Sequence, residues 1–506
     1  MENKLINEAL IVNENFLKNK IGESFDTKYR SLKIPAFNNA EAFIVYISGM
    51  IDARVIDETI LEPLMKYSKL PQGKLQVKGA EPISILTEQG VFTTALKETR
   101  QWEEICDAVM EGDTILFIDQ CPSALILTTR KYEGRTVNEP SIESEIRGPR
   151  DGFIENIQTN AALIRRRIKD YSLRFDNMKI GERTKTVVSV TYIESLVDEA
   201  LLKEVKSRLE KINVDGIIAS EYIQELIEDS PFSLFPKMTN TERPDKACAA
   251  LLDGRVLILV DNTPFVIIVP TVFWQFLISS GDYYEKFYLA TFLRWVRIIA
   301  MFLSISASSL YVLLTSFHQE MLPTALALKI AEGRQGVPFP AVLEAAVMEI
   351  ILEIMKEAGL RLPKPIGQTI SIVGTLVIGQ TAVAAGLVSS FLLIVIAVAA
   401  ISSYAIPSYT MSNALRLVRF PILILTAFFG LLGYLAGIIT LLMHLMSLRS
   451  FGTPYLSPVI PFDKNGNKDV FIRTPWWKML NRPKFVRSKD RARQTSNLKP
   501  KPPSEK

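Results

Sequence analysis

IIAMFLSISASSLYVLLTSFHQ, residues 298–319, contains no Asp, Glu, Lys or Arg. It is long enough for a helix across a bilayer, which takes about 20 largely apolar residues. Arg294 and Arg297 stand at its start. Working outward, the charge distribution divides the chain. Of its 506 residues, 48% are hydrophobic and 22% charged, but the charges crowd residues 1–250 and the last 34. The stretch between is largely apolar, which predicts a soluble region, a membrane domain and a polar tail.

Pro365 to Leu415 run for 51 residues without a charge. That is too long for one span and right for two, at 366–387 and 389–407, breaking near Gly386–Ser390. FPILILTAFFGLLGYLAGIITLLMHLMSL (420–448) reads as a fourth span after 298–319. Two further segments can be interfacial, re-entrant or spanning. VLILVDNTPFVIIVPTVFWQFLISS (256–280) carries Asp261 and two prolines, which suits a short hairpin or interfacial piece. The other is 338–358, opening PFPAVLEAAVMEIILEIM.

Residues 1–250 alternate short apolar runs with amphipathic helices. AFIVYISGM (42–50) predicts a strand and IDETILEPLMKY (56–67) a helix. GDTILFID (112–119) and SALILTTRKY (123–132) predict a hairpin around Cys121-Pro122. Residues 141–170 form a polar connection running into a helix. A strand at 184–193, a helix at 198–212, a short apolar run at 215–219 and a helix at 220–229 follow. The predicted fold is an N-terminal α/β region of two small α+β units (1–140 and 141–245). An α-helical multi-span membrane domain (246–450) and a basic tail (451–506), disordered over its last 20 residues, complete it.

Chemistry-bearing motifs are sparse. Cys106, Cys121 and Cys248 include no pair at two-residue spacing, and His318 and His444 are the only histidines. Zinc, iron–sulfur and disulfide frameworks are disfavoured, and three single buried thiols are expected. Neither GxxxxGK[ST] nor GxGxxG after a strand occurs, so nucleotide binding has no support. Nor is there a Ser/His/Asp or Cys/His constellation, which disfavours enzymatic chemistry. Glu143 and Glu145 read as solvated loop carboxylates. Arg165-Arg166-Arg167 reads as a solvated helix face, with lipid headgroups or a partner as the alternative. A net charge of +4 without aromatic-interleaved basic runs argues against nucleic acid. No cofactor is implied.

Glu344 poses the sharpest question. At about 100° per residue, Glu349, Glu353, Lys356 and Glu357 share one side of their helix, and Glu344 falls opposite, among Val347, Met348, Ile351 and Met355. Two readings stand. As an interfacial residue, it is stabilised by the helix dipole and reached by water. As a buried one, it lines an ion path or pairs with a buried donor. In the next helix, Gln368, Ser371, Thr375, Gly379, Ala382 and Gly386 recur at spacings of three and four. Such a stripe either lets helices approach closely or, repeated around a ring of subunits, lines a pore.

The tail from Arg473 to Lys506 carries 11 Lys or Arg against two acids. Basic segments near a span favour the cytoplasm. The N-terminus lacks the basic start and apolar run of a signal peptide, which places the N-terminal region in the cytoplasm too. Both ends on one side require an even number of crossings, four or six. With four, Arg416 and Arg419 fall on the far side, against the rule.

Several long blocks resemble the A subunit of the spore germinant receptors. They are SEIRGPRDGFIENIQTNAALIRRRI (144–168), FPKMTNTERPD (235–245), PYLSPVIPF (454–462) and, above all, residues 336–389, from GVPFPAVLEAAVMEIILEIM to QTAVAAGLVS. The resemblance implies an integral protein of the endospore inner membrane, working with a transporter-like B subunit that holds the nutrient and a C-subunit lipoprotein. It implies a homo-oligomeric ring with an ion-conducting pore, for which Gln368, Ser371, Thr375 and Gly379 are the lining candidates and Glu344 a gating or cation-attracting one. A non-conducting scaffold and a secondary transporter are the alternatives.

Overall fold

The computed structural model describes residues 5–22, 24–35, 39–66, 96–131, 139–140, 143–361 and 379–500. The chain divides into two compact units. One comprises Met1–Glu228, Met238–Pro270 and Met479–Lys506, the other Asp229–Lys237 and Thr271–Lys478.

The first unit is built on two five-stranded antiparallel sheets. Strands β1 (Thr27–Ile34), β2 (Ala40–Ile47), β3 (Leu96–Thr99), β4 (Thr114–Ile118) and β5 (Ala124–Leu127) lie in the order β1-β2-β4-β5-β3. Side chains alternate between the faces of a strand, and here both faces are covered. Phe43, Val45, Ile115 and Phe117 pack beneath helices α1 (Leu10–Ile21) and α2 (Trp102–Glu111). Ala42, Ile44, Leu116 and Ile118 pack against Ile56, Ile60 and Leu64 on the other face.

The second sheet repeats this order. Strands β6 (Leu173–Ile180), β7 (Thr186–Ile193), β8 (Thr239–Thr241), β9 (Val256–Val260) and β10 (Val266–Val269) lie as β6-β7-β9-β10-β8. Its helices are α3 (Ile157–Arg165), α4 (Glu199–Glu210), α5 (Ser220–Ile227) and α6 (Pro244–Leu252). The likeness extends to single hydrogen bonds. Buried Asn13 brackets the chain before α1, accepting from Asn7 N–H (2.9 Å) and donating to Asn7 O (2.6 Å), and buried Asn160 does the same at Ile154 before α3. Asp119 accepts from Leu10 N–H at the start of α1, and Asp261 from Ile157 N–H at the start of α3. The next residues, Gln120 and Asn262, both take a positive φ. The unit is a structural duplication.

This corrects the predicted boundary. Residues 256–269 complete the second sheet; Asp261, which argued for an interface, anchors α3. VLILV and VIIV, buried on both faces, read as membrane-like because a doubly covered strand is uniformly apolar. The run 215–219 is irregular rather than a strand, Ile217 being held by the hydroxyls of Thr184 and Thr186. The tail also departs from expectation. Val486 is buried, Arg482 donates to Leu252 O (2.7 Å), Ser488 to Leu196 O (3.0 Å), and Arg493 pairs with Asp253. Between Arg482 and Arg493 these groups find partners on the α/β unit, so this part of the tail forms a strap; residues 501–506 lie outside the described residues.

The second unit carries α7 (Phe287–Ser316), α8 (Thr324–Arg334), α9 (Ala341–Arg361), α10 (Ser390–Tyr404) and α11 (Tyr409–Ser447). Helices α7 and α11 are each long and apolar enough to cross a membrane, and α10 is apolar but shorter. Helix α11 is not one straight span. Gly430 takes φ 56° and ψ −131°, and the helix doubles back. A Cβ on Gly433 would lie 1.9 Å from the Leu425 carbonyl oxygen, and one on Gly437 3.2 Å from Ile422. The predicted 420–448 span is therefore part of a helical hairpin with limbs 409–429 and 431–447. Positive φ and close backbone approach both require glycine.

Candidate functional site

Helix α9 begins after Pro340, which suits a first turn because proline has no N–H to satisfy. Ala341, Glu344, Ala345, Met348 and Glu349 are buried, while Leu343, Val347, Ile350 and Ile354 are at least half exposed. At about 100° per residue the buried arc spans about 140°, with Glu344 and Glu349 at its two edges. Glu349 lies on the side predicted to carry Glu353, Lys356 and Glu357, but it is buried, whereas Glu357 is exposed.

Each carboxylate on this face meets a cation from another segment. Glu344, 1% exposed, takes Arg334 from the end of α8 at 3.2 Å and the Ser389 N–H at 2.9 Å. Ser389 caps α10, and its hydroxyl bonds Tyr311 of α7 at 2.9 Å. One turn on, Glu349 accepts from Ser308 of α7 and from Arg419 of α11. Next, Glu353 takes Arg416 at 2.9 Å, and Arg416 also donates to Asn413. At the end of the row Lys356 donates to Ser403 of α10 at 3.3 Å. Three carboxylates thus face four cations along one seam.

Glu344 stands in the first helical turn, as the dipole argument required, but it is buried and paired rather than reached by water. Gly379 is buried too, and a Cβ there would touch Leu393 of α10 at 3.3 Å, a packing contact. Gln368, Ser371 and Thr375 lie outside the described residues. Glu349, Glu353 and their arginines were missed as a site. Their signal was the violation of the charge rule by Arg416 and Arg419. Both guanidinium groups are bound by carboxylates of α9, so neither acts as a free loop charge.

Elsewhere, Arg165 is 0% exposed and clamps Asp26 with two hydrogen bonds (2.7 and 3.1 Å) between the two sheets of the α/β unit. Arg165 is therefore not part of a solvated helix face, whereas Arg166 is exposed. Glu143 likewise is held by Lys246 at 2.6 Å and by Thr241.

The family profile described as Bacillus/Clostridium GerA spore germination protein matches residues 15–485. The chain belongs to this GerA family. It is 43% identical over 498 residues to spore germination protein KA of Bacillus subtilis (strain 168), covering 98% of this chain and 90% of that protein. It is 40% identical over 448 residues to the uncharacterized membrane protein YfkQ of the same organism, covering 88% and 85%. Among solved structures, the N-terminal domain of the A subunit of the Bacillus megaterium spore germinant receptor GerK3 is 32% identical. It covers 54% of this chain and 98% of that one, with a TM-score of 0.42. Membership of the GerA family places the role of the chain in spore germination.

Proposed function

We propose that this GerA-family chain is the membrane subunit of a nutrient germinant receptor and assembles with copies of itself into a ligand-gated, ion-conducting channel. The observation that carries the membrane reading is the apolar exterior of the helical unit together with its buried polar seam. A carboxylate–arginine seam runs through its interior, while large apolar side chains such as Phe428, Leu432 and Ile439 lie outside. In water that arrangement is unfavourable; in lipid it is what polar groups require, since charges at membrane depth face a bundle interior or a water-filled path. The segment up to Pro270 and the tail from Met479 both belong to the α/β unit, which supports an even number of crossings.

On this reading the chain lies in the endospore inner membrane with its N-terminal unit on the core side, alongside a transporter-like B subunit and a C-subunit lipoprotein. Gln368, Ser371 and Thr375 face the conduction path, Gly379 packs against α10, and Glu344 acts as the gating carboxylate. A nutrient opens the ring by favouring the open state energetically. A secondary transporter carries related halves with broken helices; the duplication here falls in the α/β unit instead.

Glu344→Gln tests the gate. The amide still accepts from Ser389 N–H but removes the charge opposite Arg334. At unchanged protein level by immunoblot, cation efflux from germinant-treated spores is expected to fail or to begin without germinant. Normal, germinant-dependent efflux would remove Glu344 from the gate.

A further inference from the structure

We infer that the foot of α7 is a collar that binds anionic phospholipid headgroups and marks the membrane–water boundary. Four of the five tryptophans gather in the helical unit on segments far apart in sequence. Trp274 and Trp295 both pack on Phe471, at 5.2 and 6.0 Å between ring centroids, and Trp477 meets Phe287 edge-on at 6.0 Å. Trp476 packs at a tilt on Tyr283, 5.8 Å between centroids. Amphipathic aromatic rings concentrate where lipid headgroups meet water. Immediately beyond the collar the outward side chains of α7, Phe292, Val296 and Ile299, are exposed and apolar.

The charge of the collar selects the lipid. Asp282 holds both Arg294 and Arg297, and Asp469 takes Arg294 at 3.1 Å and the Tyr283 hydroxyl at 2.7 Å. Arg473 lies over the rings of Tyr283 and Trp476. Asp282 and Asp469 face three guanidinium groups, and Glu285 precedes Lys286 in the same segment, so the cations still outnumber the carboxylates. Among the described residues, Arg294 Nη2 and Arg473 Nε have no hydrogen-bond partner although both side chains are almost fully buried. Lys286 and Lys478 are exposed beside Phe287 and Trp477. Surplus positive charge at the level of an aromatic belt attracts anionic headgroups, each surface lysine contributing on the order of fivefold in affinity.

The inference rests on the membrane reading, and the test separates the two. The full-length chain is reconstituted in vesicles of phosphatidylglycerol and phosphatidylcholine carrying bromine at shallow or deep acyl positions, and tryptophan fluorescence is read. Shallow bromine should quench more than deep bromine, and brominated phosphatidylglycerol more than brominated phosphatidylcholine. Lys286→Gln/Lys478→Gln should lower that preference at least several-fold while leaving the depth pattern unchanged. Stronger quenching from deep bromine, or equal quenching by both headgroups, overturns the collar and leaves the membrane reading standing. Absence of quenching at every depth overturns the membrane reading itself.

Discussion

Arg419, on the fold-back helix α11, donates to Glu349 on α9, and both side chains are buried, at 3% and 2% exposure. Ser308 of α7 donates to the same carboxylate, so one residue fastens three helices. Removing one partner of a buried pair strands the other charge, at a cost of about 3–5 kcal/mol. Arg419→Met should therefore lower the melting temperature of the purified full-length chain substantially. Glu349→Gln/Arg419→Met, with no stranded charge, should recover most of the loss. A single variant melting like the wild type would show that the pair does not hold the bundle.

The reversal of α11 makes its own prediction. Gly433→Ala places a methyl group 1.9 Å from a backbone oxygen, which no side-chain movement can relieve. Accumulation in membrane fractions should collapse. Gly379→Ala meets only the flexible end of Leu393 and should accumulate normally. Normal accumulation of Gly433→Ala would favour one straight span over the hairpin.

In the α/β unit, Arg165→Met leaves Asp26 buried without its cation. The expected loss is about 3–5 kcal/mol in urea unfolding of that unit's transition, and Asp26→Asn/Arg165→Met should restore part of it. An Arg165→Met chain with an unshifted midpoint would contradict the clamp.

Cys106 and Cys248 occupy matching positions in α2 and α6, and burial pushes their thiols up to about 11 and about 12. At pH 8 the folded chain then holds roughly one thiolate per thousand at Cys106. Thiol reagents should leave both residues unmodified until urea is added. Because the unfolded thiols lose protons first, stability should fall as pH rises past about 8.5. Rapid labelling of either residue in the folded chain at pH 8 would place it at the surface.

The sequence made some of this legible and hid the rest for physical reasons. The hairpin β4–β5 and strands β2 and β7 carried a clear apolar signature, and α7 stood out by its missing charges. The 256–269 segment misled because doubly covered strands and membrane segments share one composition. The reversal at Gly430 was hidden because a helical hairpin and a straight span look alike until glycine spacing is weighed against backbone approach. Glu344 stands out in the sequence because its neighbours are apolar. Glu349 does not, because it belongs to a polar run, although burial, and not local composition, decides whether a carboxylate needs a partner. The duplication left few identical residues, among them Asn13/Asn160, Asp119/Asp261, Gly112/Gly254 and Cys106/Cys248.

Conduction is the central claim, and cation efflux from germinant-treated spores carrying Thr375→Leu, with protein level followed by immunoblot, tests it most directly. Normal abundance with efflux either blocked or independent of germinant is expected. Normal abundance with unchanged efflux would contradict it in favour of a scaffold, and collapsed abundance would make the polar stripe a packing seam rather than the wall of a pore.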